Sequence, residues 1–218
     1  MTSVVLVHGA WHGAWAWERV EPLLTDAGVR VVTPDLARER DVGLHDHVEQ
    51  VLGSMPDDEL VLVGHSYAGL VVRQAADARP DRVKRIVLID GWAGPDGSSM
   101  ANLTPDWFMP AMHAAAGDDQ LIPAPPPAAF GITEPRDSAW LAHRLGPHPL
   151  RTFTEETRLS GAVEDIPAVA VCATPSTLPF ARLAQALGYP IVPVTGPHDV
   201  MLTDPHRIAD LLLPDTMR

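Results

Sequence analysis

A chain of 218 residues, 46% of them apolar and 20% charged, has the length and balance of one soluble domain with a substantial core. Its formal charge of −12, with dispersed acidic residues and Lys84 as the single lysine, excludes the clustered basic face that a nucleic-acid partner requires. No apolar run approaches the roughly 18 residues needed to span a bilayer, which excludes a membrane partner.

Taken in chain order, short β-branched runs alternate with helical patterns, the signature of a parallel sheet with crossover helices. The amino terminus, Met1-Thr2-Ser3-Val4-Val5-Leu6-Val7-His8, lacks a basic stretch and a small-residue cleavage site, so it reads as a strand and not as a signal peptide. Strands are predicted at Ser3–His8, Val29–Thr33, Glu59–Val63, Val83–Asp90, Ala168–Ala173 and Ile191–Val194. Helices are predicted at Ala14–Ala27, Leu44–Met55, Ser66–Arg79, Thr177–Leu187 and Asp204–Leu213. The fold class is therefore α/β, a mainly parallel six-stranded sheet with helices on both faces.

The alternation stops between residues 92 and 164. That stretch holds ten of the 22 prolines, including Pro125-Pro126-Pro127, together with Trp107, Phe108, Met109, Met112, Phe130 and Trp140. It is too long for a plain connection and too apolar for a disordered linker. The expected organisation is a core of residues 1–91 and 165–218 with an inserted lid at 92–164. The one cysteine, Cys172, sits in an apolar run and reads as a buried inert thiol, which fits a cytoplasmic location.

Gly64-x-Ser66-x-Ala68 falls where a predicted strand meets a predicted helix. A nucleophile elbow at that junction exposes the serine hydroxyl in a tight turn, and the turn needs small residues two before and two after the serine. The Tyr67 backbone N–H would point at a developing oxyanion, and the loop after the first strand offers the Ala10 N–H as a second donor. A serine needs a base. Of the ten histidines, His198 follows the last strand, at the end of the sheet where the elbow lies and where open α/β sheets bind ligands. His65 reads as a packing or loop-fixing residue. His8 and His12 could line the mouth of the site, and His45 and His47 are spaced wrongly for a helical metal pair.

The segments Val7-His8-Gly9-Ala10-Trp11-His12-Gly13-Ala14-Trp15, Gly64-His65-Ser66-Tyr67-Ala68-Gly69 and Gly196-Pro197-His198-Asp199-Val200-Met201-Leu202 resemble the α/β-hydrolase superfamily. The resemblance is closest to its branch of plant methylesterases, hydroxynitrile lyases and small bacterial esterases. It implies the order Ser…acid…His, catalysis without a cofactor, and a lid above the serine. That branch usually carries an Asp in the loop after the strand ending here at Cys172, yet Ala173-Thr174-Pro175-Ser176-Thr177 holds no carboxylate. Asp165 should lie at the far end of the sheet. Asp90 ends the neighbouring strand at the catalytic end and is the expected acid; the alternative is a triad without one. Asp199 adjoins the histidine but is poorly placed to reach its ring.

The expected reaction is hydrolysis of a small, fairly apolar carboxylic ester through an acyl-enzyme. Its substrate would contact His12, Trp11, Trp92, Trp107, Phe108, Met112 and Trp140, with no metal and no cofactor. The branch's lyases carry Thr after the first His of the loop and Lys after the catalytic His. Gly9 and Asp199 stand there and speak against cyanohydrin cleavage. A receptor-like binding protein with little turnover and a lyase or cyclase remain the alternatives.

Overall fold

The computed structural model describes residues 2–213. In chain order the elements are β1 (Thr2–Val7), α1 (Glu21–Asp26), β2 (Arg30–Val32), α2 (Leu44–Ser54), β3 (Glu59–His65), α3 (Ala68–Ala78) and β4 (Val83–Ile89). There follow α4 (Met100–Leu103), α5 (Phe108–Ala116), β5 (Leu121–Ile122), α6 (Pro135–Ala142), β6 (His148–Pro149) and α7 (Arg151–Thr154). The chain then returns to the sheet with β7 (Ala168–Thr174), α8 (Phe180–Ala186), β8 (Ile191–Thr195), α9 (Val200–Thr203) and α10 (Pro205–Leu212).

Six strands form one wholly parallel sheet in the order β2-β1-β3-β4-β7-β8, as expected from the alternation. Side chains alternate across it, so each strand feeds two cores. Val5, Val7, Leu60, Leu62, Ile86 and Leu88 pack on one face with Val48, Val51 and Leu70 of α2 and α3. Val4, Leu6, Val61, Val63, Val87 and Ile89 pack on the other with Leu24, Ile208 and Leu212 of α1 and α10. A sheet covered on both faces needs the nearly continuous apolar strands that the sequence supplies. None of the described helices is long and apolar enough to cross a membrane.

Local chemistry trims the predicted elements. The expected helix Ala14–Ala27 splits into a 3-10 turn, Ala14–Trp17, and α1, because Pro22 lacks the N–H that a continuous helix would use and is tolerated only in a first turn. The expected helix Thr177–Leu187 begins only at Phe180, just after Pro179. Asp204 caps α10 by accepting the Arg207 N–H at 3.1 Å. The short helix α9 went unanticipated; four residues carry too little periodicity to detect.

Strand order reverses at β1, whose neighbours β2 and β3 run to opposite sides. The carboxyl ends of β1 and β3 therefore open onto a crevice where open α/β sheets bind ligands. Residues 92–164 leave the sheet after β4 and form α4 to α7 with a two-residue antiparallel pair, Leu121 opposite Pro149 and Ile122 opposite His148.

Candidate active site

Three residues with left-handed backbones stand at the carboxyl ends of adjacent strands: Trp11 (φ 66°) after β1, Ser66 (φ 54°) after β3 and Asp90 (φ 42°) after β4. Such conformations cost non-glycine residues on the order of 1–3 kcal/mol and persist only where the surroundings dictate them. At Ser66 the surroundings are visible. Its N–H donates to the Ile89 carbonyl at 3.1 Å, and its carbonyl accepts from Trp92 and Gly69, each at 3.0 Å. A Cβ on Gly64 would sit 2.7 Å from the Ala68 carbonyl oxygen, and one on Gly69 would sit 2.3 Å from that of Trp92. Glycine at both positions is what lets strand, turn and helix close around the serine.

The ring of His198 lies between His65 (centroids 4.6 Å apart) and Phe180, on which it stacks at 5.3 Å and 9°. Its Nδ1 faces Asp90 Oδ2 at 3.0 Å. The second oxygen of Asp90 accepts the Ala173 N–H at 2.8 Å, so both lone-pair faces of this buried carboxylate have a role. The carboxyl end of β7 thus contributes a backbone donor that aims the carboxylate of the strand next door. Asp165 ends a 3-10 turn that precedes β7, at the opposite end of the sheet.

Behind the cavity lies a layer of buried histidines with defined tautomers. His8 Nδ1–H donates to the Gly9 carbonyl at 2.9 Å while Nε2 accepts from Leu36 N–H at 3.0 Å, which requires a neutral ring. Burial agrees, pushing its pKa down to about 3. His47 Nε2–H donates to the Ala37 carbonyl, leaving Nδ1 to accept the Tyr67 hydroxyl at 3.0 Å. Burial lowers the pKa of His47 and pushes that of Tyr67 well above its ordinary value. His148 donates to Thr152 Oγ1 at 2.8 Å, and burial holds it well below the usual histidine range, helped by His47. Cys172 is buried as expected, its thiol pushed up to about 11 by burial and by Asp90.

Ser66 and His198 open into one cavity of about 510 Å³, also lined by Ala10, Tyr67, Trp11, Trp92, Trp107, Phe108 and Met112. Among the described residues neither the Ala10 nor the Tyr67 backbone N–H has a hydrogen-bond partner. A Cβ on Gly9 would approach Ser66 Cβ to 2.9 Å, so the loop carrying Ala10 passes directly against the serine.

Two expected substrate contacts are corrected. His12 is buried below the cavity, its ring held by the Ala10 carbonyl at 2.8 Å and Asp199 at 2.9 Å. Trp140 faces away, packed edge-on to Trp15 (5.4 Å) with the Arg19 and Arg144 guanidinium groups over its ring. Phe153 and Phe130 take their places in the lining. Phe153 sits in a four-residue helix whose inward face no pattern reveals, whereas Phe130 follows the proline triplet and was legible as an aromatic of the insertion. His65 fixes a loop: its Nε2–H donates to the His198 carbonyl at 3.2 Å.

Side-chain ligand atoms of His65, His198 and Asp199 come within 4.8 Å of one another. Each residue already has a partner: Asp90 for His198, the His198 carbonyl for His65 and His12 for Asp199. The cluster reads as a hydrogen-bonded network and not as a metal centre.

Comparison with known proteins places the fold in a family. The profile of the Alpha/beta hydrolase family matches residues 4–211. The chain is 31% identical to the carbendazim hydrolyzing esterase of Nocardioides sp. (strain SG-4G), over 97% of this chain and 98% of the relative. It is 36% identical to methylesterase 2 of Arabidopsis thaliana, over 50% of this chain and 46% of the relative. An extracellular alpha/beta-hydrolase from a Paenibacillus species superposes with a TM-score of 0.87 at 23% identity, covering 97% of this chain and 98% of that one. By sequence over nearly its whole length, and by the fold that sequence adopts, the chain belongs to the alpha/beta hydrolase family, in the branch of the plant methylesterases and their bacterial esterase relatives.

Proposed function

We propose that the protein is a serine-dependent carboxylic ester hydrolase acting on a small, neutral, largely apolar substrate. The observation that carries this reading is the shared cavity. Ser66 at the elbow and His198 backed by Asp90 open onto it, together with two backbone N–H groups that have no hydrogen-bond partner among the described residues. Ser66 Oγ attacks the ester carbonyl while His198 Nε2 takes its proton. The Ala10 and Tyr67 amides receive the charge on the tetrahedral oxygen. Collapse breaks the ester C–O bond, and His198 returns the proton to the departing alkoxide. A water, deprotonated by the same ring, then attacks the acyl-Ser66 carbonyl and releases the acid with Ser66 restored. Asp90 holds His198 with Nδ1 protonated and stabilises the imidazolium formed at each step.

The substrate class follows from the lining. Trp92, Phe108, Phe153, Met100 and Ile122 make the walls apolar, and His198 is the lining side chain suited to proton transfer. Tyr67 keeps its hydroxyl engaged with His47, outside the chemistry. In this reading residues 92–164 form the lid, with α5 supplying Phe108 and Met112 above the serine. Curated relatives described as a carbendazim hydrolyzing esterase and as methylesterases support an ester or closely related acyl substrate. The lone buried thiol of Cys172 favours a reducing, cytoplasmic setting.

An alpha-hydroxynitrile lyase of Arabidopsis thaliana is 31% identical over 66% of this chain. Cyanide release is disfavoured here because Asp199 is a buried carboxylate, and no cation occupies its position. The receptor-like alternative drew its support from a missing acid, and the Asp90 carboxylate 3.0 Å from His198 Nδ1 weakens that support.

Hydrolysis of p-nitrophenyl acetate and butyrate by the wild-type chain and by Ser66→Ala tests the proposal. Turnover that disappears in Ser66→Ala supports it. A wild-type chain without turnover, or turnover surviving in Ser66→Ala, overturns it.

A further inference from the structure

His12 and Asp199 are both buried and lie 187 positions apart in sequence, yet their side chains meet at 2.9 Å. His12 Nε2 faces Asp199 Oδ2, and His12 Nδ1 faces the Ala10 carbonyl oxygen at 2.8 Å. A carbonyl only accepts and a carboxylate only accepts, so a ring that bonds both must carry a proton on each nitrogen. The pair is thus an imidazolium and a carboxylate, sealed from water. Burial opposes charge on both, but the ion pair prevails: Asp199 raises the pKa of His12, and His12 lowers that of Asp199. The other groups around the His12 ring are His65 (5.8 Å, edge-on), Trp15 and Phe130, with Arg38 bonded to the His12 carbonyl at 2.8 Å.

Position gives the pair its meaning. Ala10 belongs to the loop after β1 and supplies the proposed oxyanion N–H. Asp199 directly follows His198, the proposed base, and its own N–H donates to the Phe130 carbonyl at 3.4 Å. His65, one residue before Ser66, bonds the His198 carbonyl and lies 3.7 Å from Asp199 Oδ1. The loops bearing donor, nucleophile and base therefore meet at one buried carboxylate.

We propose that His12 and Asp199 are positioning residues, a charged strut that fixes the Ala10 amide relative to Ser66 and His198. This rests on the hydrolase reading given above. A ring with both nitrogens occupied cannot shuttle protons, so the strut acts through geometry alone. Misplacing an oxyanion donor weakens binding of the transition state more than binding of the ester.

The first test is made on the unmodified chain. Nitrogen-15 NMR of labelled histidine should show both His12 nitrogens protonated at pH 6; a singly protonated ring at that pH overturns the strut. The second test uses variants. Asp199→Asn, and the double variant His12→Leu/Asp199→Leu, should lower kcat on p-nitrophenyl butyrate by about 10²-fold, with KM within about 3-fold of wild type. Affinity for a trifluoromethyl ketone analogue of the tetrahedral intermediate should fall in step with kcat. The double variant matters because replacing a buried ion pair by apolar residues of similar size tends to preserve or raise stability. A merely structural pair would leave a folded double variant with wild-type kcat and analogue affinity, and that result overturns the proposal. Absence of Ser66-dependent turnover in the wild-type chain would overturn the hydrolase reading instead. The NMR test needs no variant to fold.

Discussion

Two histidine–aspartate pairs stand side by side at the carboxyl end of the sheet, and they share almost everything except access. His198 meets Asp90 at 3.0 Å and His12 meets Asp199 at 2.9 Å. The first pair leaves 16% of the histidine side chain exposed at a cavity, while the second is sealed. In the first, one ring nitrogen binds the carboxylate and the other is available for chemistry. In the second, a backbone carbonyl takes the remaining nitrogen and the ring is fixed. On the proposed reading, identical residue types become a base or a strut according to what the second nitrogen touches. That difference is what substitutions should expose.

The largest expected effect is at the open pair. Asp90→Asn keeps the shape of the side chain but can present an N–H to His198 Nδ1, favouring the wrong tautomer. Loss of the orienting carboxylate should lower kcat by about 10⁴-fold, with KM little changed. Steady-state kinetics on p-nitrophenyl butyrate would show it. Activity within about 10-fold of wild type would mean that Asp90 serves only to bind the Ala173 amide.

Next is the contact between the donor loop and the serine. Gly9→Ala would place a methyl 2.9 Å from Ser66 Cβ and 3.0 Å from His65 Nδ1. Neither can retreat far, because the elbow is pinned by the Ile89, Trp92 and Gly69 hydrogen bonds. The loop must shift instead, and kcat should fall by about 10²-fold with a smaller change in KM. Wild-type kinetics in this variant would show that the loop does not supply the oxyanion donor.

The two kinds of buried histidine also differ in their response to acid. His8, with its pKa lowered to about 3, is neutral when folded but protonates near 6.5 when unfolded. Between those values the unfolded chain binds more protons, so stability falls as pH drops through that window. From pH 6.5 to 5 this one group costs about 2 kcal/mol. His47, His65 and His148 are lowered too and act in the same direction. His12 is raised, so its contribution is present at low pH and is lost as pH rises through its folded value. Urea midpoints should therefore decline from pH 7 to pH 5, and His8→Gln should flatten that decline. A midpoint independent of pH would show that these histidines are not neutral in the folded state.

What the sequence revealed of this arrangement depended on how local each signal is. The elbow was legible because Gly64, Ser66 and Ala68 lie within five residues and at a strand–helix junction. His198 was legible from its place after the last strand. Asp90 took a further step: with no carboxylate after β7, strand adjacency and direction pointed to the end of β4, where Asp90 Oδ2 lies 3.0 Å from His198 Nδ1. His12 was misjudged because its motif advertises a loop at the cavity mouth, while its partner lies 187 residues away. The helix Ala14–Ala27 failed at Pro22, a breaker present in the sequence but outweighed by the apolar spacing around it.

Trp107 and Trp140 make the smallest test, and they separate lining from glue within the insertion. Both are large aromatics of the 92–164 segment, and composition alone treats them alike. Trp107 is 63% exposed at the rim of the cavity. Trp140 is held between Trp15 and the Arg19 and Arg144 guanidinium groups, away from the serine. Removing the rim ring should weaken binding of an aromatic ester more than it slows chemistry, so Trp107→Ala should raise KM about 3-fold at constant kcat. For Trp140→Ala both kinetic constants should hold, while stability falls by about 1 kcal/mol as two cation–π contacts and the edge contact are lost. The comparison is sharpest with p-nitrophenyl acetate beside p-nitrophenyl benzoate: a ring at the rim should matter for the larger acyl group and hardly at all for acetate. If Trp140→Ala raised KM as much as Trp107→Ala, the path to Ser66 would run past Trp140, outside the cavity lining described here.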